Sequence, residues 1–195
     1  MNKPNNYEAT QVGSDFTPVE LGGHKAIIKK VEETTSSTGK PMLKIAIDFD
    51  ATDKQPNYFM ESFKNDIRPD KKWPANGVIY VLSEDANGNC SKNFKSFINA
   101  FEKSNGCTAI WGAKFASQFT NKKIGTVFGL VEEEYNGEVK KRHKHRWFCE
   151  YDKAESASIP EAKLLDTASA PLPVSTNPAD GFVNVPDGVD ADVPF

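Results

Sequence analysis

Three cysteines in 195 residues, Cys90, Cys107 and Cys149, are too few and too scattered for a disulfide framework, and none belongs to a CxxC pair. That usage predicts a reducing compartment. No run approaches the roughly 20 apolar residues that span a bilayer, and the opening MNKPNNYEAT lacks the apolar stretch of a secretory leader. The expected location is cytoplasmic, with no membrane partner. There is no P-loop, no GxSxG and no nucleophile beside a base, so no catalytic residue and no cofactor is assigned.

Charge of one sign is also scarce overall, since 24 Lys and Arg against 27 Asp and Glu leave a net of −3. The distribution is uneven. From Ala154 to Phe195 seven acids face one base, Lys163, so this segment stands at −6 and residues 1–153 at +3. A basic body joined to an acidic tail is a common layout among nucleic-acid proteins. The tail is rich in Ala, Ser, Pro and Asp without a period, which predicts disorder. Three regions are expected: a flexible arm over 1–17, one domain over 18–153, and a disordered acidic tail over 154–195.

Within the body, His24–Thr34 reads as a first strand. A second follows, with Leu43, Ile45, Ile47 and Phe49 alternating against polar neighbours. Tyr58–Lys64 reads as a third strand, Asn65–Gly77 as a charged loop and Val78–Ser83 as a short extended piece. Phe94, Phe97, Ile98 and Phe101 fall at i, i+3, i+4 and i+7 and predict a helix over Ser91–Ser104, capped by Ser91 and stopped by Asn105-Gly106. That spacing assigns the aromatic stripe to the core. Asn136-Gly137 predicts a tight hairpin between Thr126–Tyr135 and Glu138–Tyr151. Mainly β with one inserted helix, the pattern predicts a small OB-type Greek-key barrel.

The hairpin carries the densest basic run, Lys140–Arg146 followed by Trp147. A two-residue turn pairs Tyr135 with Glu138, hence Glu133 with Lys140 and Glu132 with Lys141, which takes up those two lysines. Arg142, Lys144 and Arg146 then share an outward face, about 7 Å apart, while His143, His145 and Trp147 turn towards the barrel. Cations that track phosphates, with aromatics on which bases stack, are the requirements of sequence-tolerant single-strand binding. Trp73, between Lys71-Lys72 and Pro74, is the preferred stacking residue, with pinning of its loop to the core as the alternative. Tyr58 and Lys44 complete the candidate DNA-binding set. Metal chemistry has weaker support. His143, His145 and Cys149 lack a fourth zinc ligand, and Asp48, Asp50, Asp53 and Glu61 would have to converge to hold Mg²⁺ for a nuclease.

The last nine residues place acids before an apolar, aromatic end suited to a hydrophobic pocket with a basic rim. In Asp190, Asp192, Val193, Pro194 and Phe195 the ending resembles the carboxy-terminal peptide of bacterial and phage single-stranded-DNA-binding proteins, although Ala191 interrupts the acids. Residues 20–152 also resemble small phage proteins of replication and recombination, in GHKAII, SSTGKPML, DKKWP and KSFINAFEKSNG. The resemblance implies a binder of single-stranded DNA that is not an enzyme, in a host cell's cytoplasm. It further implies replication or recombination proteins as partners of the tail, and a possible homo-oligomer. The alternatives are a metal-dependent nuclease and a protein-only adaptor.

Overall fold

A bent first strand organises the chain. The computed structural model describes residues 17–165, with Lys3, Asn5, Tyr7 and Glu8 ahead of them. Strand β1 is Gly22–Thr35, and Lys29 is an extra residue that breaks its register on strand β2, Pro41–Phe49. β1 serves two neighbours. It pairs with β2 from Ala26 onwards and with strand β4, Lys123–Tyr135, over Gly22–Ile27. Strand β3, Val78–Leu82, lies outside β2, and strand β5, Glu138–Cys149, lies outside β4. All four pairings are antiparallel, in the order β3-β2-β1-β4-β5. Three strands in a meander, a helix, and a return to the far edge of β1 make up the order of an OB-type Greek key.

The expected helix is present as α2, Lys92–Asn105. The Ser91 Oγ accepts the Phe94 N–H at 3.1 Å, and Gly106 closes the helix at φ 60°. Its stripe, with Phe97 and Phe101 fully inside, meets Phe119, Phe128 and Ile124 in one core. The hairpin turn is also as read: Asn136 and Gly137 are both left-handed, at φ 54° and 76°. No helix among the described residues is long and apolar enough to cross a membrane.

Tyr58–Lys64 is not a strand. It is a two-turn helix, α1, with only Phe59 fully inside. The cause lies ten residues upstream of α1, where the Asp48 Oδ1 accepts the Phe59 and Met60 N–H groups at 3.0 and 3.2 Å. Asn57, left-handed at φ 54°, turns the chain into it. A buried carboxylate thus holds a helix start that the local aromatic density disguises.

The body also continues past residue 153. A short turn at Tyr151–Lys153 brings Ala154 into the interior, and the following segment runs back along β4. There the Lys163 N–H donates to the Leu130 carbonyl and the Glu132 N–H to that of Lys163, both at 2.9 Å. This edge of β4 is free because β1 begins only at Gly22, opposite Phe128. The compact unit therefore closes at Leu165. Most of the expected arm, and the tail residues Asp190, Asp192, Val193, Pro194 and Phe195, lie outside the described residues.

Gly23 sets this closure, because a Cβ there would stand 1.8 Å from the Ala154 carbonyl oxygen. Replacing Gly23 with Ala should cost about 1–3 kcal/mol, the range for forced overpacking. It should also expose 154–165 to protease well before the rest of the body. Thermal melts and limited proteolysis check this, and an unaltered cleavage pattern would contradict the packing.

Candidate nucleic-acid interface

The two edge strands, β3 and β5, flank an open seam rather than a closed ladder. It forms a cleft of about 380 Å³. Ile79, Val81, His145 and Phe148 supply its apolar depth. Tyr80 stands on the β3 wall, and Arg142, Lys144, Arg146 and Trp147 on the β5 wall. Tyr80 faces outward because Ile79 and Val81 point in, leaving it 58% exposed beside its β2 partner Lys44. Lys44 itself lies 3.4 Å from Glu32.

The β5 wall departs from the register expected at its last third. Pairing holds from Tyr135↔Glu138 to Phe128↔His145, then Val127 pairs with Trp147, so Arg146 is a bulge. One extra residue inverts every side chain that follows. Phe148, not Trp147, enters the core, against Phe97 at 5.1 Å between centroids. Trp147 turns out to the cleft at 38% exposure. His143 and His145 do face inward, as expected.

The cations do not divide as the simple pairing implies. Lys141 meets Glu132 at 3.6 Å as read, but Lys140 pairs with Glu138 at 3.3 Å. Glu133 is shared instead by Lys144 and by Arg142, whose Nε is 3.9 Å away. The reason is diagonal reach: Val131 and Gly129 put no charge between them and Glu133, so long side chains extend along the outward face to it. The Lys144 ammonium, foremost, holds the Glu133 carboxyl below the usual carboxylate range. Arg146 has no ion pair among the described residues. Its Nη1 donates to the Glu161 carbonyl at 3.1 Å, and Gly129 leaves room for Arg146 and Pro160 to pack over it.

Other candidates lie outside the cleft lining. The Trp73 indole is half-buried, donates to the Ile47 carbonyl at 3.0 Å and sits 5.6 Å from Phe63, so it pins its loop to the core. The Tyr58 hydroxyl donates to the Thr17 carbonyl at 2.7 Å. Lys71 donates to the Lys64 carbonyl at 2.8 Å, and Lys72 lies 3.8 Å from Asp70. Tyr80 is the residue that the sequence reading missed; its outward place was signalled by the alternation of Ile79, Tyr80 and Val81.

Of the four acids that a nuclease would need, Glu61 is exposed on α1 and the other three are engaged with nearby groups. Asp48 caps α1, and burial pushes its carboxyl above the usual range against the N–H groups it accepts. Asp50 accepts the Thr52 N–H at 2.9 Å. Burial would raise the Asp53 carboxyl, yet His24, 2.9 Å away, and the Gln55 and Lys25 N–H groups hold it low. The Arg146 bulge also turns Cys149 away from the face of His143 and His145. Among the described residues no three His, Cys, Asp or Glu side chains converge as a metal site. No protein-family model matches the chain, and no curated protein matches it.

His145 marks the cleft with a pH signature. Its Nε2 is closed off without a hydrogen-bond partner among the described residues, its ring lies 4.3 Å from Phe148, and burial pushes the imidazole down to about 3. The folded protein therefore keeps this ring neutral where the unfolded chain, near 6.5, takes up a proton. Stability is full above that value and falls as pH drops from about 6.5 towards 3, at up to about 1.4 kcal/mol per unit. Denaturant melts across this window should show a steeper loss in the parent than in His145→Leu. Parallel profiles would place the imidazole in water.

Proposed function

We propose that the protein binds single-stranded DNA, with no strong sequence preference, in the cleft between β3 and β5. The observation that carries the reading is the pair of exposed aromatics on opposite walls, Tyr80 and Trp147, beside Arg142, Lys144 and Arg146. A base stacks on any aromatic face, and phosphates follow a row of cations, so such a cleft takes a strand without reading its letters. The OB-type order supports the reading, since such barrels commonly hold single strands. Trp73 leaves the stacking role to Tyr80 and Trp147. Glu133 is the anion that phosphate must displace from Lys144 and Arg142, and exposed ion pairs of this kind cost little to exchange.

The setting that we propose is phage replication or recombination in a host cell. Asp190, Asp192, Val193, Pro194 and Phe195 act there as the anchor for partner proteins. Residues 166–195 hold five Asp and no Lys or Arg, against a net of +2 for residues 1–165. An acidic segment tethered to a basic cleft competes with DNA at high effective concentration.

Titration with oligo-dT followed by anisotropy tests the cleft. Tyr80→Ala and Trp147→Ala should each weaken binding by about 1–3 kcal/mol. Replacing Arg142, Lys144 and Arg146 together with Ala should flatten the log–log salt slope by up to roughly 2, at about 0.7 per phosphate contact. Affinity for oligo-dT untouched by both aromatic changes would sink this reading of the cleft.

Deleting residues 187–195 should raise DNA affinity, most at low salt where screening is weakest. Removal of Phe195 alone should abolish capture of replication proteins while leaving DNA affinity nearly unchanged, because an apolar side chain goes and a terminal carboxylate stays. Calorimetry of both variants against an oligonucleotide and a replication-protein partner separates the effects. Partner binding that survives without Phe195 would remove the anchor role.

A further inference from the structure

Outside the cleft, the least explained side chain is Trp111, 66% exposed in the loop between α2 and β4. It is not loose. One face of the indole stacks on Phe115 at 4.9 Å and 13°, with Phe94 6.1 Å away. The loop beneath it is tied on both sides. Gln118 accepts the Ile110 N–H at 2.7 Å and donates to the Ile110 carbonyl at 2.8 Å, and Glu102 accepts the Ala109 N–H at 2.9 Å. An aromatic plane is thus held in place with its other face towards solvent.

The segment that carries Trp111 is basic in sequence. From Ser91 to Lys123 six lysines stand against one acid, Glu102, whose carboxylate is already engaged with the loop. Lys103 pairs with Glu150 at 3.2 Å. Lys92, Lys95, Lys114 and Lys122 are exposed and make no ion pair among the described residues, whereas most cations of the barrel strands are paired. The first turn of α2 links this patch to the cleft: Asn93 lines the cleft, and its neighbour Phe94 lies against Trp111. The two aromatic sites therefore meet consecutive residues of one helix end, whose diameter is about 10 Å.

We infer that Trp111 is a second stacking platform, at which a single strand leaving the cleft crosses the start of α2 and is held by Lys92, Lys95 and Lys114. The inference rests on the cleft's binding single-stranded DNA and extends its footprint to a face of the barrel that the strand order alone does not single out. Fixed aromatic plus unpaired cations favours a polyanion with stackable groups over an acidic peptide, which would leave the indole face unmatched.

The test uses the full chain and oligo-dT of two lengths, about 8 and about 30 nucleotides, the first within a single OB site and the second beyond it. Trp111→Ala should leave the short oligomer's affinity unchanged and weaken the long one about five- to 150-fold, the range for one lost stacking contact. Trp111→Phe, which keeps an aromatic ring on Phe115, should recover most of that loss. Neutralising Lys92, Lys95 and Lys114 to Gln should lower the salt slope by up to roughly 2 for the long oligomer only. Equal effects on both lengths, no effect on either, or a loss that Phe fails to recover would each overturn the platform. So would a synthetic peptide of residues 187–195 that competes for Trp111 while long oligo-dT does not. A parent protein that binds neither oligomer would overturn the cleft reading itself. If Tyr80→Ala impairs both lengths and Trp111→Ala neither, only the platform falls.

Discussion

Which of Trp147 and Phe148 faces the cleft and which the core is decided by one extra residue in β5. Strand side chains alternate with a period of two, so the Arg146 bulge exchanges inside and outside for all that follows. Without it Trp147 would enter the core and Phe148 would stand in water. With it, Phe148 reaches Phe97 on α2, and the indole is left on the surface next to three cations. The site's polarity and the core's packing are two consequences of a single register shift. A deletion at Arg146 would damage both together.

The bulge is held from outside the strand. Gly129 lacks the Cβ that would collide with Arg146 and Pro160, and the Glu161 carbonyl takes a hydrogen bond from the guanidinium. Lys163 then fixes the same segment to the free edge of β4. So the chain beyond the barrel closes the sheet edge and also orients a cleft cation. Uncovered strand edges invite association with other chains, and this one is covered along Leu130–Glu132 by the protein's own backbone.

How much of this is legible in the sequence depends on how local each cause is. β2, α2 and the Asn136-Gly137 turn are set by patterns within a few residues, and each is where the residues imply. α1 is not, because its cap, Asp48, belongs to the preceding strand and no window over Tyr58–Lys64 contains it. The Arg146 bulge leaves no mark among Lys140–Trp147, since its support comes from Gly129 and Pro160. The boundary at Leu165 is hidden for a similar reason: Ala154 and Ile159 look like tail composition until Gly22 and Gly23 make room for them. Of the cleft, the three cations were visible from alternation alone. Tyr80 was within reach of the same argument, but a five-residue strand offers little length in which a period can declare itself.

Electrostatics then distinguishes the two faces of the barrel on physical grounds. On the hairpin face, Lys144 and Arg142 are neutralised in place by Glu133, so a phosphate there exchanges one anion for another and its gain comes largely from released counterions. On the α2 face, Lys92, Lys95, Lys114 and Lys122 are exposed and have no such competitor among the described residues. The aromatic residues set the geometry in both places, Tyr80 and Trp147 by strand alternation and Trp111 by its stack on Phe115. Under the proposed function, the paired face therefore governs where a short strand seats, and the unpaired face adds to the salt dependence only when the strand is long enough to reach it.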